Sequence, residues 1–109
     1  MLRYTQQANE DLSRILAGLL SFRIGDALDP SLTEEHANRI FDDIVDHIDT
    51  IETLAFHRTN TFVGLECYGG YVYTYKRNRT DWYAFYDKNG QDYVVNRITN
   101  NWNVLLPRL

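Results

Sequence analysis

Tyr71-Val72-Tyr73-Thr74-Tyr75-Lys76, a turn at Asn78-Arg79-Thr80, Trp82-Tyr83-Ala84-Phe85-Tyr86, a turn at Lys88-Asn89-Gly90 and finally Tyr93-Val94-Val95-Asn96-Arg97-Ile98 form the stretch that decides the fold. Side chains alternate with a period of two, and β-branched and aromatic residues dominate. Asn89-Gly90 is a strong short hairpin signal, because both residues accept the positive φ that a two-residue β-turn demands. Consecutive hairpins make an antiparallel meander. Thr61 to Tyr68 reads as one more strand ahead of it, with Gly69-Gly70 as the tight turn between.

The period changes to 3.6 upstream of this sheet. Ala8, Leu12, Ile15, Leu16, Leu19 and Leu20 share one helical face, with Glu10, Asp11, Ser13 and Arg14 opposite, and Gly25 and Pro30 close the helix. A second helix opens at Ser31-Leu32-Thr33-Glu34, where a Ser followed three residues later by a Glu has the pattern of a capping box. Its apolar stripe runs Ala37, Ile40, Phe41, Ile44, Val45, Ile48, Ile51, Leu54, which predicts a helix of about six turns. Leu2-Arg3-Tyr4-Thr5 reads as a short first strand. Two amphipathic helices and a half-apolar sheet bury their stripes against one another. The expectation is a single α+β domain over residues 1–109, a strand and a helical hairpin followed by a meander sheet packed on the helices.

Composition narrows the function classes. The chain has 109 residues, 44% hydrophobic and 24% charged, as in ordinary globular domains. No apolar run reaches the length of a membrane span, and the first residues lack an apolar signal core. One cysteine, Cys67, allows no internal disulfide. The cytoplasm is therefore the expected compartment, without membrane attachment. Net charge is −4 and unevenly spread. Residues 1–56 carry four Lys/Arg against eleven Asp/Glu, and residues 57–109 carry seven against four. Only the second half could offer a basic face to a nucleic acid.

Chemistry-bearing residues are few. Lys76, Arg77 and Arg79 gather at a predicted hairpin between Tyr75 and Trp82. Cations beside aromatics grip phosphates and stack on bases, but charges at such a turn also keep a sheet edge from aggregating. Asp42, Asp43, Asp46, His47, Asp49 and Glu52 line the second helix. Asp43 and His47, four residues apart, reach one side, yet no third ligand follows at metal-binding spacing, so no metal is expected. His57 at the helix end has a structural reading as a cation near the helix C-terminus and a functional one as an acid or base. Cys67 reads as a buried, inert thiol in a strand. Asn100, Asn101 and Trp102 beyond the last strand either line a binding surface or cap the open end of the core. No phosphate loop or dinucleotide fingerprint is present, and no cofactor is implied.

The order of elements resembles the RelE/ParE superfamily, the toxin halves of bacterial type II toxin–antitoxin pairs. The resemblance begins at Tyr4-Thr5-Gln6-Gln7-Ala8-Asn9-Glu10-Asp11-Leu12 and continues in Ala37-Asn38-Arg39-Ile40-Phe41-Asp42-Asp43-Ile44. It is best in Tyr75-Lys76-Arg77-Asn78-Arg79-Thr80-Asp81-Trp82-Tyr83-Ala84-Phe85-Tyr86-Asp87, which is similar to the plasmid-stabilisation branch, and ends in Asn96-Arg97-Ile98-Thr99-Asn100-Asn101. It implies a growth-inhibiting toxin with a cognate antitoxin, acting either on DNA gyrase, as ParE-like members do, or as a ribosome-dependent messenger-RNA endoribonuclease, as RelE-like members are. In a ribonuclease, Lys76, Arg77, Arg79 and Arg97 would hold the phosphate, with Tyr75 or Tyr83 as proton carrier. The chain departs from the ribonuclease pattern in its pI of about 5.2 and in having no His or Tyr after Tyr93. These departures favour target binding, with Tyr75, Tyr83, Asn100, Asn101 and Trp102 as binding residues. A non-toxic interaction module on the same fold is the remaining reading.

Overall fold

The computed structural model describes residues 1–24, 30–77 and 80–101. β1 (Leu2–Tyr4) leads into α1 (Gln6–Ile24), and α2 (Pro30–Asp49) ends in a 3-10 turn at Thr50–Thr53. A second 3-10 turn, Glu66–Tyr68, precedes β2 (Tyr71–Arg77), β3 (Thr80–Asn89) and β4 (Asp92–Asn100). Among the described residues the sheet has the order β1-β4-β3-β2. β1 runs parallel to β4, with Leu2 opposite Tyr93, and the other pairs are antiparallel. The α+β architecture expected from the sequence is present: an N-terminal strand, two helices packed on each other, and a mostly antiparallel sheet.

Helix α1 starts at a side-chain cap. Thr5 Oγ1 accepts from the Ala8 N–H at 3.1 Å and donates to the Asn96 carbonyl at 3.1 Å, so one hydroxyl satisfies a free helix donor and ties the helix to β4. The cap expected for the second helix, Ser31 with Glu34, falls at Ser31 outside the described side chains, as does the closure of the first helix at Gly25. Pro30 is the first residue of α2, where its missing N–H costs no helical hydrogen bond.

The second helix is shorter than its apolar stripe. It stops at Asp49, and Ile51 is buried on the 3-10 turn instead. Two threonines tighten the chain there. Thr50 Oγ1 donates to the His47 carbonyl at 2.6 Å and Thr53 Oγ1 to the Thr50 carbonyl at 3.0 Å, competing with the i→i−4 ladder.

The strand expected over Thr61–Tyr68 does not form. Only Thr59 bridges to β2, opposite Tyr71. Beyond it the Asn60 side chain takes over the work of a ladder. Its Nδ2 donates to the Leu65 and Gly69 carbonyls at 3.1 and 2.9 Å, and its Oδ1 accepts from the Phe62 N–H at 3.1 Å. Gly64 turns the chain at φ 85°, a conformation that suits glycine. Gly69-Gly70 accordingly joins a strap to β2 and is no hairpin turn. Cys67 lies on the strap and is exposed, not in a strand and not buried.

The sheet has two apolar faces. On one, Tyr86, Tyr93, Val95, Ile98, Ala84 and Trp82 pack with Ala8, Ile44, Ile48 and Ile51 of the helical layer. Tyr71, Tyr73 and Tyr75 join this side, which fixes a register that periodicity left open. On the other face Val72, Tyr83 and Phe85 are covered by Phe62, Leu65 and Tyr68 of the strap. A bulge makes both faces work. Phe85 pairs with Arg97 but Tyr86 with Val95, leaving Asn96 as the extra residue. The bulge brings Val95 and Ile98, three residues apart, onto the same buried face.

One carboxylate closes the exposed edge of β4. β1 ends opposite Val95, so the rest of β4 needs another neighbour. Asp11, expected on the polar face of α1, is 3% exposed. Its Oδ2 accepts from the Ile98 N–H at 3.0 Å and from Arg97 Nε at 2.8 Å. Its Oδ1 accepts from Gln7 Nε2 at 3.2 Å. Asp11 follows Ala8 by three residues and Gln7 by four, and therefore shares their face of the helix.

Two variants test this packing. Asp11→Ala strands the Arg97 cation and the Ile98 N–H, and is expected to lower unfolding free energy by about 3 kcal/mol in urea titration. Gly69→Ala is expected to cost about 2 kcal/mol, because φ is 146° and a Cβ there would stand 2.7 Å from the Tyr86 carbonyl oxygen.

Candidate functional site

The distal end of the sheet holds Tyr75, Arg77, Asn100 and Asn101 of the residues singled out in sequence. There Tyr75 of β2 pairs with Trp82 of β3, which pairs with Asn100 of β4. The same row is closed by Asn101. Its Oδ1 accepts from the Asp81 N–H and its own N–H donates to the Asp81 carbonyl, both at 3.1 Å. Trp82 is 6% exposed and belongs to the core. Arg79 and Trp102 lie outside the described residues.

α2 reaches this end through one carboxylate. Asp43 Oδ2 accepts from the Tyr75 hydroxyl and from Arg77 Nη1, the latter at 2.6 Å. His47, one turn on, stacks on the Tyr75 ring with centroids 3.8 Å apart and planes 14° from parallel. Its Nδ1 lies 2.8 Å from the Asp43 carbonyl oxygen, which assigns the proton to Nδ1 in the neutral ring. The Tyr75 hydrogen bond, with help from the Arg77 charge, lowers the Asp43 pKa. The same hydrogen bond and burial raise that of Tyr75. The group is a clasp between helix and sheet in which the Arg77 charge meets its counter-ion inside the chain. The spacing of Asp43 and His47 was visible in sequence. Their partners on β2 were not, since nothing local marks a contact spanning 34 residues.

The four cations named for phosphate chemistry do not gather. Lys76 is exposed and stands across from Asp81. Arg77 is held by Asp43. Arg97 pairs with Asp11 and lies over the Tyr68 ring, 4.9 Å from its centroid. Arg77 pairs with Thr80 and Arg97 with Phe85, five positions apart on β3, which is about 17 Å along a strand. The two tyrosines are also separated. Tyr75 lies on the helix side, whereas Tyr83 packs under the strap against Phe62 and Phe85, where burial raises its pKa.

A second polar group occupies the opposite end of the sheet. The Tyr86 hydroxyl and His57 Nδ1 are 2.7 Å apart, and His57 Nε2 is 3.4 Å from the Tyr93 hydroxyl. Burial pushes the Tyr86 hydroxyl up to about 12, so it donates and Nδ1 accepts. Burial, and then the charge of Lys88, lowers the His57 pKa from its ordinary 6.5. The sequence reading of His57 as a cation at a helix end meets a different setting: the ring sits among Tyr71, Tyr86 and Tyr93, where burial disfavours its charged form. No group of three or more metal-ligating side chains occurs among the described residues. Nor is any helix there long and apolar enough to cross a membrane.

No family model matches the chain, and no curated protein matches it. Among solved structures it is similar to a chain of the chromosomal ParDE TA system from P. aeruginosa. The identity is 20%, covering 89% of this chain and 90% of that one, with a TM-score of 0.59. The two share a fold, and it is the RelE/ParE-like fold that the sequence resemblance implied.

The two polar groups titrate in separate windows. Because the folded pKa of His57 is lowered, the unfolded state binds the extra proton. Stability is expected to be complete above 6.5 and to fall as pH drops through that value and below it. Asp43 is also lowered, so its contribution is complete above 3.8 and lost only as pH falls below that. Thermal unfolding followed from neutral to acid pH should show both windows. His57→Gln should flatten the upper one alone, and Asp43→Asn the lower one alone.

Proposed function

We propose that this chain is the toxin of a type II toxin–antitoxin pair, held inactive by a cognate antitoxin, and that it arrests growth by binding a protein target. DNA gyrase is the first target to test. The fold shared with the ParDE chain supports the toxin reading.

The choice of binding over RNA cleavage rests on one observation. Arg77 and Arg97, two of the cations a phosphate would need, are each paired with a carboxylate of the chain itself, and their partners on β3 lie five positions apart. To cradle a scissile phosphate, cations must converge on the charge that develops in the transition state. Here each would first have to give up a hydrogen-bonded counter-ion. Both faces of the sheet are also covered, one by the helices and the other by the strap, leaving the rim and outer helix surfaces for recognition. The antitoxin would mask such a surface with a segment of its own, in the manner of peptides that complete a groove or a sheet.

The test is induced expression of the chain alone in a bacterial host, with growth, total RNA and plasmid supercoiling followed in one culture. Growth arrest with intact messenger RNA and disturbed supercoiling is the expected result. Messenger RNA cut on ribosomes, with cutting lost in Arg77→Ala, would overturn the binding mechanism in favour of a ribonuclease. Unimpaired growth would reduce the chain to an interaction module on a toxin fold.

A further inference from the structure

The strap that crosses the second face of the sheet is a loop with its ends tied together. Residues 61–68 leave the chain at Asn60 and return at Gly69, and these ends meet. The Asn60 N–H donates to the Gly70 carbonyl and Asn60 Nδ2 to the Gly69 carbonyl, both at 2.9 Å. The Val72 N–H donates to the Arg58 carbonyl at 2.9 Å, with Thr59 opposite Tyr71. The Gly70 N–H donates to Asp87 Oδ1 at 2.9 Å, so the neck of the loop is fastened to β2 and β3. A compact loop closed at its neck has the form of an Ω-loop.

The body of this loop is bonded to itself. Asn60 Oδ1 accepts from the Phe62 N–H and Asn60 Nδ2 donates to the Leu65 carbonyl, both at 3.1 Å. The Leu65 N–H donates to the Phe62 carbonyl at 3.2 Å, and the Tyr68 N–H to the Leu65 carbonyl at 3.0 Å. Toward the sheet beneath, residues 61–68 make one hydrogen bond among the described residues, accepted by the Tyr68 carbonyl from Asn96 Nδ2 at 3.0 Å. The other contacts are Phe62, Leu65 and Tyr68 packed on Val72, Tyr83 and Phe85, and the Arg97 guanidinium over the Tyr68 ring. Thr61, Val63, Gly64, Glu66 and Cys67 are exposed. A body held by its own hydrogen bonds, with a single polar latch to its support, lifts away more easily than it comes apart.

We infer that residues 61–68 are a lid, latched by Asn96, that swings off the sheet as one piece and uncovers Val72, Tyr83 and Phe85. The hinge falls at Asn60 and at Gly69-Gly70, where rotation leaves the ladders of β2, β3 and β4 untouched. Gly69, at φ 146°, has the backbone freedom a hinge needs. Asn96 is the extra residue of the β4 bulge, and its Nδ2 also donates to Asp87 Oδ2 at 2.9 Å. Latch and neck therefore share Asp87, which takes the Gly70 N–H on its other oxygen. In the closed state this face of the sheet is withheld from any partner, and in the open state it presents an aromatic surface. The lid follows from packing alone and stands whether or not the chain is a toxin.

The test is relaxation dispersion on the intact chain labelled with nitrogen-15, which detects excursions on the microsecond-to-millisecond scale. Amides of Phe62, Leu65 and Tyr68 in the lid, and of Val72, Tyr83 and Phe85 beneath it, are expected to fit one shared exchange rate. Val95 and Ile98, whose side chains face the helices, are expected to show none. Asn96→Ala removes the latch and should raise the open population about 5-fold. Tyr68→Leu keeps an apolar cover but removes the ring under Arg97, and should raise it about 3-fold. Val63→Ala, at a residue 90% exposed, should leave it unchanged. Absence of dispersion in the wild-type chain and in both latch variants would overturn the lid in favour of a fixed cover. Separate rates along residues 61–68, a rate shared with Val95 and Ile98, or an open population unmoved by both latch variants would overturn it equally.

Discussion

The carboxylate of Asp11 sits where the sheet would otherwise be left unfinished. β1 is three residues long and leaves β4 without a strand beside it after Val95. The Asp11 side chain takes the place of that strand. It accepts from the Ile98 N–H as a backbone carbonyl would, and its charge is balanced by Arg97. A buried carboxylate without such donors would be strongly destabilising. With them, α1 is fixed both in position along β4 and in rotation about its own axis. The Thr5 cap and the Asn96 bulge lie beside this contact, so the helix start, the register of β4 and the composition of the buried face depend on it together.

The same chemistry recurs on α2. Asp43 holds Arg77 and Tyr75 as Asp11 holds Arg97. The acidic surplus of the first half and the basic surplus of the second therefore meet at two points inside the fold, besides any effect on partners. An arginine held in this way is costly to recruit for another anion, because the carboxylate left behind loses its partner. A reading of function from the count of basic residues alone overstates what they can offer a phosphate.

Coverage matters as much as charge. Residues 61–68 alternate well enough to suggest a strand, and they do place Phe62, Leu65 and Tyr68 on the sheet. They do so as a strap lying across its face, because the Asn60 side chain and Gly64 supply the turn geometry that a ladder would exclude. The open part of the rim is then the later half of β2.

Local pattern alone determined a large part of this protein. The 3.6-residue stripes of α1 and α2 and the alternation of β2 to β4 are properties of neighbours in sequence, and they became the expected elements, although α2 stops at Asp49 and the hairpin turn falls at Gly90-Gln91, one residue beyond Asn89-Gly90. The family resemblance likewise rested on the order of such elements. Tertiary structure alone decided which face of β2 turned inward, that residues 61–68 cross the sheet, and that Asp11 and Asp43 each tie a helix to the sheet. The reason is physical. Periodicity records what one segment needs to bury, whereas a carboxylate's environment is set by a donor that the chain brings back from 86 residues away, and an amphipathic run cannot indicate whether a sheet edge or a sheet face will receive it.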